Sequence, residues 1–337
     1  MEQAVLQAGV AFYLGTIIYL ANLEAATGRQ HPLLRPMLYS VTLLVLLYGL
    51  LLLTAPSLPD LPPIDPTAAG VGVAVAVVGS FTGILFIRSD RVRAALRRIL
   101  GEGAGYDPAS RVHMTAIVLM IAIVAITIVD FVASGGIGGM ATTIEETRTR
   151  GIDSLIIVQT ILFALAALLG VGFAVRRTLP EVLARLGLRA PTPQDLNWGL
   201  GVGLLSYLGV IVLTIVWMLL VTPEQFAEQT AASEQIARSF DSIPIALVLS
   251  LAIAFGEEVF FRGALQPIFG VWFTSLFFVA LHTQYALTPA TLAILLVSLA
   301  FGWLRQRYST TAAIVAHFIY NFVQLALAIL VGSSLTP

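Results

Sequence analysis

The sequence predicts an all-α fold, a polytopic bundle of transmembrane helices. Hydrophobic residues make up 58% of the 337 positions and charged residues only 11%, and the mean hydropathy is +0.92. A soluble domain carries about 25% charged residues, so soluble enzymes, disordered proteins and nucleic-acid-binding proteins are excluded. The chain has no cysteine, which excludes a disulfide framework, a thiolate metal site and a cysteine nucleophile.

Long apolar runs predict the individual membrane spans. A helix needs about 20 apolar residues to cross ~30 Å of hydrocarbon. Ten runs meet this requirement, and we expect between eight and ten spans. In chain order the runs are residues 6–24, 37–55, 69–87, 114–134, 155–175, 199–221, 244–264, 268–285, 289–304 and 312–332.

The distribution of arginine predicts the orientation. All 18 basic residues are arginine, a composition that points to a bacterial cell membrane. Except for Arg148, Arg150, Arg238 and Arg262, they lie in alternate loops. The positive-inside rule makes these loops cytoplasmic and places both termini on the opposite side. The intervening loops carry the acids Asp60, Asp65, Glu145, Glu146, Asp153, Glu224, Glu228, Glu234 and Asp241.

Two local patterns indicate how helices are placed. Residues 88–111 are rich in arginine, which we interpret as a topology determinant. The same residues are also compatible with a basic amphipathic helix that lies on an anionic leaflet. Gly199 and Gly203 have the GxxxG spacing that is typical of closely packed membrane helices.

Ionisable residues inside a predicted span mark the candidate functional site, because charge is costly in hydrocarbon. The span around 243–265 contains Glu257, Glu258 and Arg262. Glu258 and Arg262 lie one helical turn apart in the favourable acid-before-base order, and we expect a buried ion pair that locks helix packing. Glu257 is rotated by about 100° from Glu258 and is left available for chemistry or for a metal.

The later spans add imidazole and amide groups at helical spacing. Phe278 and His282 are four residues apart, as are His317 and Asn321. Each pair alone is more typical of core packing or of a hydrogen bond between helices. Their combination with Glu257 in the last third of the chain indicates a site.

In this order, these motifs resemble those of the CPBP family, the CAAX-protease and bacteriocin-processing intramembrane proteases, also called the Abi family. The resemblance covers about residues 150–333, so we expect a protease core of about six spans at 151–333. An N-terminal addition of about four spans precedes it at 1–150. The resemblance implies roles for Glu257 as general base, His282 in orienting and activating water, His317 and Asn321 as oxyanion donors, and Glu258, Arg262 and Phe278 as structural support.

The resemblance implies an endopeptidase that acts on membrane-associated proteins or peptides within the lipid bilayer. We expect no cofactor, no bound metal and no nucleic-acid partner, and the sequence leaves oligomeric state and substrate prenylation open. One alternative is a zinc protease with Glu257, His282 and His317 as ligands. Another is a non-enzymatic scaffold or peptide-binding regulator. A transporter with a proton relay is less favoured, since no internal repeat is evident.

One expectation concerns depth in the membrane. If the spans 244–264 and 268–285 are straight and complete, Glu257 and His282 lie at different depths, about 10 Å apart. Tilted helices around a cavity, or a later start of the second span, would bring them together.

Overall fold

The computed structural model of the chain describes residues 2–54, 64–137, 139–140, 142, 152–238, 242–286 and 288–335. These residues form helices, and the only β-type pairing among them is an isolated bridge between Phe173 and Arg177. The predicted all-α class is confirmed. Several predicted loop residues lie outside the described part, as does the predicted boundary between 150 and 151: Asp60, Glu145, Glu146, Arg148, Arg150 and Asp241.

The helices follow the predicted apolar runs, with short amphipathic helices between some of them. In chain order they are α1 (Glu2–Thr27), α2 (Leu34–Leu51), α3 (Pro66–Arg88), α4 (Asp90–Leu100), α5 (Arg111–Ala133), α6 (Ile152–Gly170), α7 (Leu179–Leu186), α8 (Pro193–Leu220), α9 (Pro223–Arg238), α10 (Ile243–Glu258), a π-helical segment (Val259–Leu265), α11 (Gln266–Ala280), a 3₁₀ turn (Thr283–Tyr285), α12 (Pro289–Arg307) and α13 (Thr310–Leu335).

Eight helical runs in the described residues are long and apolar enough to cross a membrane, which makes the chain an integral multi-pass membrane protein. Eight lies within the predicted range, and two features account for the difference from ten. Within the part whose side chains the structure describes, α6 contributes the shorter apolar stretch Leu155–Gly170 and is not counted among the eight. The predicted spans 244–264 and 268–285 form one helical run, Ile243–Ala280.

That run folds back on itself at Gly270. Its backbone there is non-helical, with φ 80° and ψ 167°, a conformation that glycine adopts without a steric penalty. The rings of Phe261 and Phe278 lie 4.9 Å apart, whereas 17 residues of straight helix would separate them by about 25 Å. The run therefore consists of two arms side by side. The second arm ends at Ala280, so the predicted helical placement of His282 was wrong.

Contacts group the chain into two compact units. The first contains residues 1–135, 165–182 and 267–270, and the second contains 136–164, 183–266 and 271–337. In the first unit α2, α3 and α5 pack through small residues. A Cβ on Gly49 would lie only 2.2 Å from Ala76, and one on Gly79 only 2.8 Å from Ala125. The predicted division into 1–150 and 151–333 stays a prediction.

In the second unit α8 and α13 are in backbone contact. A Cβ on Gly203 would lie 2.6 Å from the carbonyl oxygen of Ala316, as the GxxxG spacing predicts. The buried carboxylate of Asp195 accepts a hydrogen bond of 2.7 Å from the Ser309 hydroxyl. Ser309 directly precedes α13, so these contacts fix the axial position of α13 against α8.

Candidate active site

One cavity of about 450 Å³ in the second unit brings together five of the seven predicted site residues. Residues of α6, α10, α11, α12 and α13 line it, together with the turn that follows α11. The five residues at its wall are Glu257, Phe278, His282, His317 and Asn321. Glu258 and Arg262 lie behind this wall. The catalytic and supporting roles of all seven residues stay predictions.

The two adjacent glutamates face different surroundings because they lie about 100° apart on α10. Glu257 reaches the cavity. Glu258 is fully buried and lies between a cation and an imidazole: its Oε2 is 3.2 Å from Nε of Arg262, and its Oε1 is 2.8 Å from Nδ1 of His317. The structure thus contains the ion pair that the spacing predicted, and His317 extends it.

Arg262 is 1% exposed and is held by groups from distant parts of the chain. Its Nη2 donates to the carbonyl oxygen and the hydroxyl of Ser298, at 3.2 and 3.1 Å. The guanidinium carbon lies 4.8 Å from the ring centre of Phe278, within the range of a cation–π contact. Phe278, predicted as core packing, therefore also covers a buried charge.

The backbone near the glutamates is irregular in a way that is common near functional sites. A π-helical segment begins at Val259, directly after Glu258. The glycines on either side allow close approach: a Cβ on Gly256 would lie 2.9 Å from the Thr160 backbone, and one on Gly263 would lie 3.1 Å from Leu186. The glycines therefore let α6 and α7 pack directly against α10 and the π-helical segment, which carry the ionisable residues.

His317 links the two glutamates. Because Glu258 is paired with Arg262, its oxygens act as acceptors, so the Nδ1–H of His317 donates to it. The opposite ring nitrogen, Nε2, lies 3.9 Å from Oε2 of Glu257. This distance is too long for a direct hydrogen bond and short enough for one water molecule to bridge the two atoms.

His282 lies in the turn after α11, where its backbone is no longer helical. Its Nδ1 is 2.8 Å from the carbonyl oxygen of Phe278 and must donate to it, so Nε2 is the free acceptor of the neutral ring. The imidazole stacks on the Phe278 ring with 4.3 Å between centres. These two contacts hold the ring at the cavity wall, although the residue is outside the helix that was predicted to carry it.

Several polar residues at the cavity were missed from the sequence. They are Gln159, Thr160, Gln284, Tyr285, Tyr320 and Gln324. Two signals could have identified part of this set. Gln324 follows His317 by seven residues, which keeps it on the same helix face, and Gln159 is a polar residue within an apolar run.

The donor set gives little support to the zinc alternative. Within the described ranges, no three or more histidine and carboxylate side chains are grouped so that they could hold a metal ion. His317 and His282 each use Nδ1 in a contact inside the protein.

Comparison with known proteins points to the same part of the chain. Residues 239–323 match the family described as type II CAAX prenyl endopeptidase, Rce1-like. The uncharacterized protein YpbD of Bacillus subtilis (strain 168) is 42% identical over 86 residues, which are 24% of this chain and 44% of that protein. No solved structure matches the chain. The seven predicted site residues all lie within 239–323, and for this segment the resemblance to the Rce1-like membrane endopeptidases is confirmed.

Proposed function

We propose that the protein is an intramembrane endopeptidase that hydrolyses peptide bonds in membrane-associated proteins or peptides. The observation that carries the proposal is the single cavity that Glu257, His282, His317 and Asn321 share. The similarity of residues 239–323 to a family of membrane endopeptidases supports the same reaction class.

Glu257 is the proposed general base because it is the less engaged of the two glutamates. Its carboxylate takes a proton from a water molecule while the water oxygen bonds to the scissile carbonyl carbon. The tetrahedral intermediate then collapses, the C–N bond breaks, and the proton passes to the leaving amine. His282 presents Nε2 as an acceptor and so can hold the other hydrogen of the same water.

Asn321 and His317 are the proposed oxyanion donors. The Asn321 amide can donate in any protonation state. His317 has its Nδ1 proton engaged by Glu258, so its Nε2 donates only when the ring carries both protons. One preorganised donor is typically worth about 3 kcal/mol of barrier. Glu258, Arg262 and Phe278 support this geometry through the contacts that hold His317.

The test compares wild type with Glu257→Gln in native membranes, using quantitative proteomics of released peptides. Glu228→Gln, which changes an exposed glutamate on α9, is the matched control. We expect Glu257→Gln to lower cleavage by at least about 100-fold, the lower end for a general base, while the control cleaves normally. Undiminished cleavage in Glu257→Gln would refute the mechanism. A cellular function that survives in this variant would favour the scaffold alternative.

We also propose that the arginine-bearing loops face the cytoplasm of a bacterial cell and that both termini face away from it. In the second unit two of these loops meet, since the Arg305 guanidinium packs over Gly187. Arg185, from the same loop as Gly187, donates to the Gly263 carbonyl in the π-helical segment at 3.1 Å. Because the chain lacks cysteine, single cysteines introduced at Arg189 and Glu224 can be tested with a membrane-impermeant thiol reagent. Labelling of the Arg189 position in intact cells would contradict this orientation.

A further inference from the structure

Outside the cavity, α4 in the first unit presents an exposed face that carries arginine side chains. This helix follows α3 after a single extended residue, Ser89, whose hydroxyl accepts from the Val92 backbone N–H and caps α4. Since α3 and the next long helix, α5, both have the length and hydropathy of membrane spans, α4 belongs at the membrane surface.

The inner face of α4 uses two of its arginines to hold the loop structure. Arg93 is buried, pairs with Asp90, and donates to the carbonyl oxygens of Ile87 and Pro108 at 3.3 and 3.0 Å. Arg97 donates to the Ala104 carbonyl oxygen at 3.0 Å. These two side chains are already engaged and fix how α4 lies on its own unit.

The outer face presents charge that the protein does not neutralise. Arg91, Ala95 and Arg98 are exposed and fall within a narrow arc opposite Arg93. Within the described part of the chain, Arg91 and Arg98 have no hydrogen bond or ion pair, and neither does the exposed Arg88. Ile99, beside them, is 80% exposed.

The charges around this face do not cancel it. Asp90 is exposed but already paired with Arg93. Glu102, past the end of α4, is exposed but forms no ion pair with these arginines, and Asp107 accepts from the Ala109 backbone N–H at 2.9 Å. The face therefore combines free guanidinium groups with an apolar side chain, at the level where α3 leaves the hydrocarbon.

We propose that this face of α4 binds the anionic headgroups of phospholipids in the bilayer that α3 and α5 cross. The guanidinium groups of Arg88, Arg91 and Arg98 pair with lipid phosphates, while Ile99 inserts toward the acyl chains. Arginine is suited to this role because its planar donor fork matches phosphate oxygens. This interaction is independent of the proposed peptidase reaction, since none of these residues lines the cavity.

The test uses the full chain in nanodiscs of mixed phosphatidylcholine and phosphatidylglycerol. Because the protein has no cysteine, Ala95→Cys gives a single site for a fluorophore at the centre of the face. Either the phosphatidylglycerol or the phosphatidylcholine carries bromine on its acyl chains, and quenching is compared. Val78→Cys, 64% exposed on the membrane span α3, is the control for random lipid contact and should be quenched equally by both lipids.

We expect stronger quenching at position 95 by brominated phosphatidylglycerol, and we expect high salt to weaken it. Arg91→Gln combined with Arg98→Gln should lower this lipid preference about tenfold or more, whereas the matching Lys substitutions should retain most of it. Equal quenching by the two lipids, or a preference unchanged in the double Gln variant, would overturn the proposal. Quenching by neither lipid would also overturn it and would favour a soluble acidic partner for this face.

Discussion

Removing the positive charge of Arg262 should destabilise the protein more than any comparable surface change. Arg262→Met keeps most of the side-chain volume and its contact with Phe278 but leaves Glu258 buried without its cation. The guanidinium and carboxylate are 1% and 0% exposed and lie 3.2 Å apart. Breaking a buried pair of this kind costs about 3–5 kcal/mol, because the remaining charge is uncompensated.

A double-mutant cycle can separate the contribution of the lost charge to the free energy of unfolding from simple loss of packing. Glu258→Gln in the Arg262→Met background removes both charges and retains an oxygen that can accept from His317. We expect the double variant to recover most of the lost stability, since neutral replacement of a buried pair is often close to neutral in free energy. Arg307→Met, at an exposed position on the last turn of α12, is the matched control and should change stability by less than about 0.5 kcal/mol.

The assay is thermal unfolding of the purified protein in detergent, followed by circular dichroism or by a thiol-independent dye. For a chain of 337 residues, a loss of 3–5 kcal/mol corresponds to a fall in Tm of about 4–7 °C. If Arg262→Met melts with the wild type, the buried pair does not carry the stability that its geometry implies. If the double variant is less stable than both single variants, the loss arises from packing and hydrogen bonds to Ser298 rather than from charge.

Three further predictions concern how the cavity is held together. Gly203→Ala should lower stability by about 1–3 kcal/mol and reduce peptide release, because its Cβ would collide with the Ala316 carbonyl. The control Gly209→Ala, with open space around it, should be neutral or stabilising in the same melting assay. Ser309→Ala removes a donor to the buried Asp195 and should cost about 1–3 kcal/mol; an unchanged Tm would show that this contact does not hold α13. His282→Phe should keep the stack on Phe278 and a normal Tm yet lose hydrolysis, and normal hydrolysis would remove His282 from the mechanism.

The membrane character and most helices could be predicted because hydropathy is a local property of the sequence. Helix periodicity also predicted the pairing of Glu258 with Arg262, since four residues separate them. The fold-back at Gly270 could not be predicted in the same way, because a glycine within an apolar run is compatible with both a straight and a broken helix. The predicted span 268–285 also extended beyond the helix end at Ala280 and included His282, because no glycine or proline marks that end before Pro289.

Contacts between distant residues were outside the reach of sequence spacing. Ser298 binds Arg262 from a position 36 residues away, and an isolated serine in an apolar span gives no signal of its partner. The contribution of α6 to the cavity, through Gln159 and Thr160, depends on close packing against Gly256, which only the assembled second unit reveals. Motif order supplied what spacing could not, because it placed His282 and His317 in the same site before any distance was known.

The two adjacent glutamates show why one position is suited to chemistry and its neighbour is not. Glu258 is fully buried, its two oxygens already face Arg262 and His317, and it does not line the cavity. Glu257 has only the more distant Nε2 of His317, at 3.9 Å, and faces a cavity that can hold water. Exchanging the two environments would need a 100° rotation of α10, which the contact of Gly256 with Thr160 prevents. The close packing of α10 on α6 therefore keeps Glu257, the proposed base, at the cavity and Glu258 away from it.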